Sequence, residues 1–167
     1  MELRDDEAQA LARMPGVRSV QVEKTHPLLT FGSPDFVGAT AAWTSPGAGN
    51  RGEGVVIGVI DSGTNFGHPA FSVTDADGYR HVNPRGRYYG MCAQPSGAFA
   101  CNDKRIGVYD FTPTTGNGVG ADGTGHGTHV SSIALGNTRP HTFPGAGSVN
   151  LTLRMAGAAP RANLISY

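Results

Sequence analysis

An α/β domain with a mainly parallel sheet is predicted from two apolar runs and one helical repeat. Residues 55–60, Val-Val-Ile-Gly-Val-Ile, form a continuous apolar run rich in β-branched side chains. It is too short for a helix and fits a strand buried on both faces of a parallel sheet. Asp61 follows at the carboxyl end of that strand, where open α/β sheets gather ligands and chemistry. From His126 to Leu135 the pattern turns helical, with Val130, Ile133 and Ala134 on one face. Asn163 to Tyr167 reads as the start of another strand.

The remaining elements follow in chain order. Asp5 to Met14 is predicted as a short amphipathic helix, with Leu3, Ala10, Leu11 and Met14 near one face and Pro15-Gly16 as its stop. Val17, Val20 and Val22 sit in a strand-like run that ends at Glu23. Lys24 to Ala39 contains Pro27, Gly32, Pro34 and Gly38 without a sustained period, which predicts extended linker. Trp43 to Gly54 is expected to remain irregular. Asp75 to Gly120 is polar and turn-rich, with one short strand expected at 106–109. Gly136-Asn137 reads as the cap of the second helix, and Thr138 to Ser148 as loop. No internal repeat is present.

Composition narrows the function classes. A length of 167 residues suits one domain or part of one. The chain has 25 glycines, 11 prolines and few charges, yet its periodic apolar runs exclude a disordered class. The formal net charge is zero and there is no basic run, so no nucleic-acid partner is expected. The apolar stretches are too short to span a membrane. Glu2, Asp5, Asp6 and Glu7 make the start acidic, the opposite of a secretory signal. Cys92 and Cys101 are spaced for a small disulfide loop, although spacing does not show that it closes. Two thiols alone make a poor zinc site.

Three segments carry the chemistry. The first is Val55-Val56-Ile57-Gly58-Val59-Ile60-Asp61-Ser62-Gly63, followed by His68-Pro69-Ala70-Phe71. The second is Asp122-Gly123-Thr124-Gly125-His126-Gly127-Thr128-His129-Val130. The third is Gly157-Ala158-Ala159-Pro160-Arg161-Ala162-Asn163-Leu164. A carboxylate at a buried strand end needs donors or a cation. An aspartate that accepts from an imidazole Nδ1–H fixes the tautomer and leaves Nε2 free to take a proton from a nucleophile. Asp61 and His126 are candidates for that pairing. Glycines beside His126 let main chain and substrate approach.

In this order and at these intervals the segments resemble the Asp and His motifs of the subtilase family of serine peptidases, and the Gly-x-Ala-Pro-x-Ala-x-Leu segment that follows them. Cys92 to Phe111 resembles the Cys-loop and Lys-x-Ile-Gly run of the larger secreted plant and bacterial members. Met14-Pro15-Gly16-Val17-Arg18-Ser19-Val20 resembles the end of an inhibitory propeptide, and Phe36-Val37-Gly38 the start of the mature enzyme. The resemblance implies part of a three-layer α/β sandwich with a mainly parallel sheet, preceded by the tail of an α+β propeptide. It places the propeptide tail at residues 1–30 and the amino-terminal portion of the catalytic domain at 31–167. It makes Asp61 and His126 catalytic and His129 a buried structural histidine. It implies polypeptide substrates, a contact with the chain's own propeptide, cleavage between His26 and Ser33, and export, with which a Cys92–Cys101 disulfide agrees. Many relatives bind calcium, but no convincing liganding loop stands in this sequence. The family's Gly-Thr-Ser-Met-Ala-x-Pro nucleophile segment is absent, so a fragment without proteolytic activity of its own is expected, in which a parallel sheet cut at Tyr167 leaves an apolar edge unpaired.

Other readings explain less. Asp-Ser-Gly alone is good turn chemistry. A lipase-like role for Ser62 leaves the His126 motif unexplained, and Gly-x-Ser-x-Gly is absent throughout. His126 and His129 are three apart with no Glu between, unlike a zinc-protease helix. Ser131 and Ser132 are not nominated as nucleophiles. His26, His68, His81 and His141 are expected at the surface or in packing. A non-catalytic remnant, or an inhibitory or binding module, is the competing function.

Overall fold

The computed structural model describes residues 4–21, 32–46, 50–94, 101–112, 120–143 and 150–167. Four strands form a wholly parallel sheet in the order β1 (Val56–Val59), β6 (Asn163–Ser166), β3 (Arg105–Val108), β2 (Tyr89–Gly90). The α/β class is therefore as predicted. β6 pairs with β1 from Val56 opposite Asn163 to Val59 opposite Ser166. On its other side it pairs with β3, with a register shift between Arg105 and Gly107. The last strand thus lies inside the sheet, and β1 and β2 are its edge strands among the described residues.

One long helix, α4 (His126–Leu135), lies against β1 and β6. Between helix and sheet, Phe71, Leu135, Ala162 and Leu164 are buried, with Ile57, Val59, Ala134 and Ala159 packed around them. Full burial of a leucine such as Leu135 or Leu164 stabilises by about 2 kcal/mol. The sheet strand after Arg51 is shorter and less enclosed than its apolar run implies. Only Val56–Val59 is extended in the ladder, it is half-buried, and Ile60 is 86% exposed. The fully enclosed strand is β3, despite Arg105, whose guanidinium lies 4.5 Å over the Phe66 ring.

Helix α1 (Asp5–Ala12) forms where predicted. Three acidic residues occupy its first turn, favourable at the positive end of a helix, and Arg4 N–H donates to Glu7. None of its residues is buried, and Ala8 and Leu11 are only partly covered. Several expectations fail. Residues 17–21 form no strand, and Val22 lies outside the described residues, as does the window 22–31. Within the expected linker is α2 (Ser33–Phe36), and α3 (Ala39–Thr44) runs from its end into the stretch expected to be irregular. Pro34 sits in the first turn of α2, where a missing N–H costs nothing. The Trp43 indole on α3 donates to Ala158 O at 2.9 Å. The expected loop after α4 contains β4 (Arg139–Phe143), paired antiparallel with β5 (Leu151–Met155). Gly136 ends α4 with φ of −58° rather than a left-handed cap.

Cys92 and Cys101 are joined as a disulfide beside β3. His81 is buried at 1% exposure, with Nε2 at 2.8 Å from Asn137 Oδ1 and its ring edge-on to Tyr79. Burial, then the neighbouring Lys104 ammonium, pushes this imidazole down from 6.5 to about 4. An unfolded chain takes up that proton near pH 6.5, the folded chain only near pH 4. Stability from this group is complete above pH 6.5 and falls towards pH 4, by up to about 3 kcal/mol. Urea unfolding at neutral and mildly acidic pH reads the effect. His81→Gln is expected to flatten it, and an unchanged pH dependence in that variant refutes the assignment.

Candidate active site

Asp61 stands two residues past β1, on the turn that leaves the carboxyl end of the sheet. Its N–H donates to Tyr167 O at 3.2 Å, and Tyr167 N–H donates to Val59 O at 2.8 Å, so the end of β6 fixes the turn. His126 is the first residue of α4. The two side chains, 65 residues apart in sequence, meet with His126 Nδ1 at 2.7 Å from Asp61 Oδ1. The same oxygen accepts from Ser62 N–H at 2.7 Å. The hydrogen bond from His126, followed by that from the Ser62 backbone, holds the Asp61 carboxyl below its ordinary range. In return the Asp61 bond and charge raise His126 above the usual histidine value.

The chemistry of the pair follows from this geometry. An ionised carboxylate accepts and cannot donate, so it selects the imidazole tautomer with the proton on Nδ1. Nε2 is then the basic nitrogen. The imidazole is 68% exposed while the carboxylate is 18% exposed, and no hydrogen bond among the described residues reaches Nε2. An oriented imidazole with a free basic nitrogen can accept a proton from an incoming hydroxyl.

Backbone contact makes the approach close. A Cβ on Gly127 would collide with Gly63 O, so only glycine lets the start of α4 touch the turn after Asp61. Asn65 N–H donates to Thr128 Oγ1 at 2.8 Å, and Thr64 forms a parallel bridge with Ala121. The two motif segments are thus zipped together over several residues.

Other candidates fall elsewhere. His129 is exposed, which corrects the buried role implied for it. One turn into α4 its side chain faces away from the packed side of the helix. Ser132 Oγ donates to His129 O at 2.8 Å, and Ser131 is buried, so neither hydroxyl bonds His126. His68 Nδ1 accepts from Ala70 N–H and caps the 3₁₀ turn Pro69–Phe71. His141 is exposed on β4, and His26 lies outside the described residues. No three His, Cys, Asp or Glu side chains are gathered to hold a metal ion among the described residues. Asp110 and Asp122 accept from backbone amides and hydroxyls.

The subtilase family model matches residues 52–167, a stretch that contains the sheet, α4 and both members of the pair. The chain belongs to the subtilase family. Among its relatives, Subtilisin-like protease SBT2.5 of Arabidopsis thaliana is 33% identical over 181 residues, covering 97% of this chain and 21% of that protein. Subtilisin-like protease SBT2.6 of the same plant is 34% identical over 183 residues, with coverages of 97% and 21%. Subtilisin-like protease SBT4.11 is 35% identical over 166 residues, with coverages of 99% and 21%. This subtilase chain spans about a fifth of the length of the curated relatives it matches. None of its described helices is long and apolar enough to cross a membrane.

Sequence reasoning on this subtilase missed the oxygens that accept from the first turn of α4. Asp122 lies three residues before Gly125, where an acidic cap of a glycine-started helix would stand. Ser62 follows Asp61 directly and has a hydroxyl free of its own backbone. Both signals were visible, but each needs the fold to reveal its partner.

Proposed function

We propose that this chain supplies the aspartate and histidine of a serine endopeptidase site. Asp61 orients the imidazole and stabilises its cationic form, and His126 takes the proton from a serine hydroxyl as it attacks a peptide carbonyl. The serine and the oxyanion donors come from outside these 167 residues. The observation that carries the reading is the 2.7 Å Nδ1 to Oδ1 contact at the carboxyl ends of the sheet, with the imidazole open to solvent.

Further parts of the reading rest on resemblance. Residues 1–30 form the tail of an inhibitory propeptide, and 31–167 the beginning of the catalytic domain. Substrates are polypeptides, the propeptide tail contacts the site, and the protein is exported, with which the Cys92–Cys101 disulfide agrees.

A complete polypeptide that continues from this segment into a serine-bearing portion tests the proposal. Incubation with an internally quenched peptide and a serine-reactive phosphonate is expected to give hydrolysis that stops as one serine is labelled. Hydrolysis insensitive to the phosphonate, or none from a folded and processed protein, would overturn it.

A further inference from the structure

Helix α4 begins at a glycine that cannot cap it. Gly125, the N-cap, has φ of +84° and no side chain to accept from the first turn. Four N–H groups at the helix start then lack intrahelical partners. Each finds a side-chain oxygen from outside the helix. Gly125 N–H donates to Asp122 Oδ1 at 2.7 Å and Thr128 N–H to Asp122 Oδ2 at 2.7 Å. Gly127 N–H donates to Ser62 Oγ at 2.9 Å, and His126 N–H to Thr124 Oγ1 at 3.3 Å. The hydroxyl protons also balance. Ser62 Oγ donates to Asp122 Oδ1 at 2.9 Å, and Thr124 Oγ1 donates to Ser62 Oγ at 3.0 Å.

Ser62 belongs to both halves of the candidate site. Its backbone N–H binds Asp61 Oδ1, and its hydroxyl binds the residue after His126. A shift of α4 relative to the turn after β1 must therefore break the Ser62–Gly127 link, and Asp122 holds the same hydroxyl and the Thr128 amide. We infer that Asp122 and Ser62 are positioning residues that hold the first turn of α4 in register with Asp61, so that the imidazole meets the carboxylate. The inference rests on reading Asp61 and His126 as the working pair, but it concerns their geometry and not hydrolysis. Asp61 and Asp122 are the charged groups that act on His126, and both favour its protonated form. Burial raises the Asp122 carboxyl, but bonds from Thr128, Ser62 and Gly125 outweigh it and hold the group well below the carboxylate range.

The test is NMR on the 167-residue chain, following the His126 imidazole and the proton it shares with Asp61. Asp122→Asn replaces one accepting oxygen with a donor and removes the charge. Ser62→Ala removes only the link. Both are expected to lower the His126 titration midpoint and to weaken or abolish the Nδ1–H resonance. The Leu164 amide, bonded to Lys104 O between β6 and β3, reports whether the sheet is intact. An intact sheet with an unchanged midpoint and resonance in both variants overturns the inference. If the variants unfold, hydrogen exchange in the parent decides. Gly125, Gly127 and Thr128 amides must then exchange at least about tenfold slower than free amides. Unprotected exchange at these three also overturns the inference. A failed peptidase reading would show instead in the hydrolysis assay, which uses none of these signals.

Discussion

His126→Ala is expected to lower turnover of a peptide by about a million-fold in a complete polypeptide that carries this segment and a nucleophilic serine. The scale is that of subtilisin itself, a member of this family, where the histidine alone accounts for nearly the whole effect of the triad. Without the imidazole, Asp61 loses the base that it orients. Asp61→Asn is expected to cost less, about ten-thousand-fold, the scale of the same change in a triad of unrelated fold. The amide can keep the ring in place, but it favours the wrong tautomer and offers no charge to the imidazolium.

The pH profile separates these two roles. Asp61 raises the His126 value in the parent, so Asp61→Asn lowers it. The acidic limb of kcat/KM reports the free enzyme's essential base, and it should move to lower pH in Asp61→Asn. The measurement is kcat/KM against pH for parent and variant. A limb that stays in place, or moves to higher pH, would show that His126 is not the base or that Asp61 does not act on it.

The parts of this fold that were legible were those set by local apolar pattern. β1, β6 and α4 are each marked by their own residues, because Leu135 and Leu164 must be buried wherever the chain places them. β4 was missed because Arg139-Pro140-His141-Thr142-Phe143 has no apolar alternation. It exists through pairing with β5, which includes the Thr142 to Thr152 side-chain bond at 2.8 Å. Val17 and Val20 gave the reverse error, since β-branched residues without a partner strand make no ladder. α2 and α3 were hidden in a glycine- and proline-rich stretch, and a long-range bond from Trp43 to Ala158 helps to fix them. At the candidate site, Asp61 and His126 were legible because each lies within a distinctive motif. The oxygens that satisfy the helix start were not, since Ser62 and Asp122 are 60 residues apart and their bond is a product of the fold.

Lys104→Met is expected to destabilise the chain by about 3–5 kcal/mol, among the largest costs of any single side chain here. Lys104 is fully buried at the start of β3. Its Nζ donates to Leu135 O at 2.5 Å, Pro160 O at 2.8 Å and Ala162 O at 2.7 Å. One ammonium therefore joins the sheet, the last turn of α4 and the segment that leads into β6. Burial drives its value down from 10.5 to about 7, while Asp75 acts in the opposite direction. All three ammonium protons are nonetheless committed to carbonyls, one of them at the negative end of α4, and this arrangement favours the charged form. Methionine matches the stem in volume but leaves three buried carbonyls without a donor, and each unsatisfied group costs about 1–3 kcal/mol. Lys104→Arg should not rescue, because a planar guanidinium cannot direct three protons at carbonyls arranged around one nitrogen. The midpoint of thermal unfolding should fall by roughly 10 °C in Lys104→Met. A drop of only a degree or two would mean that water reaches those carbonyls, and that the packing of Phe71, Leu135 and Leu164 holds α4 to the sheet without the ammonium.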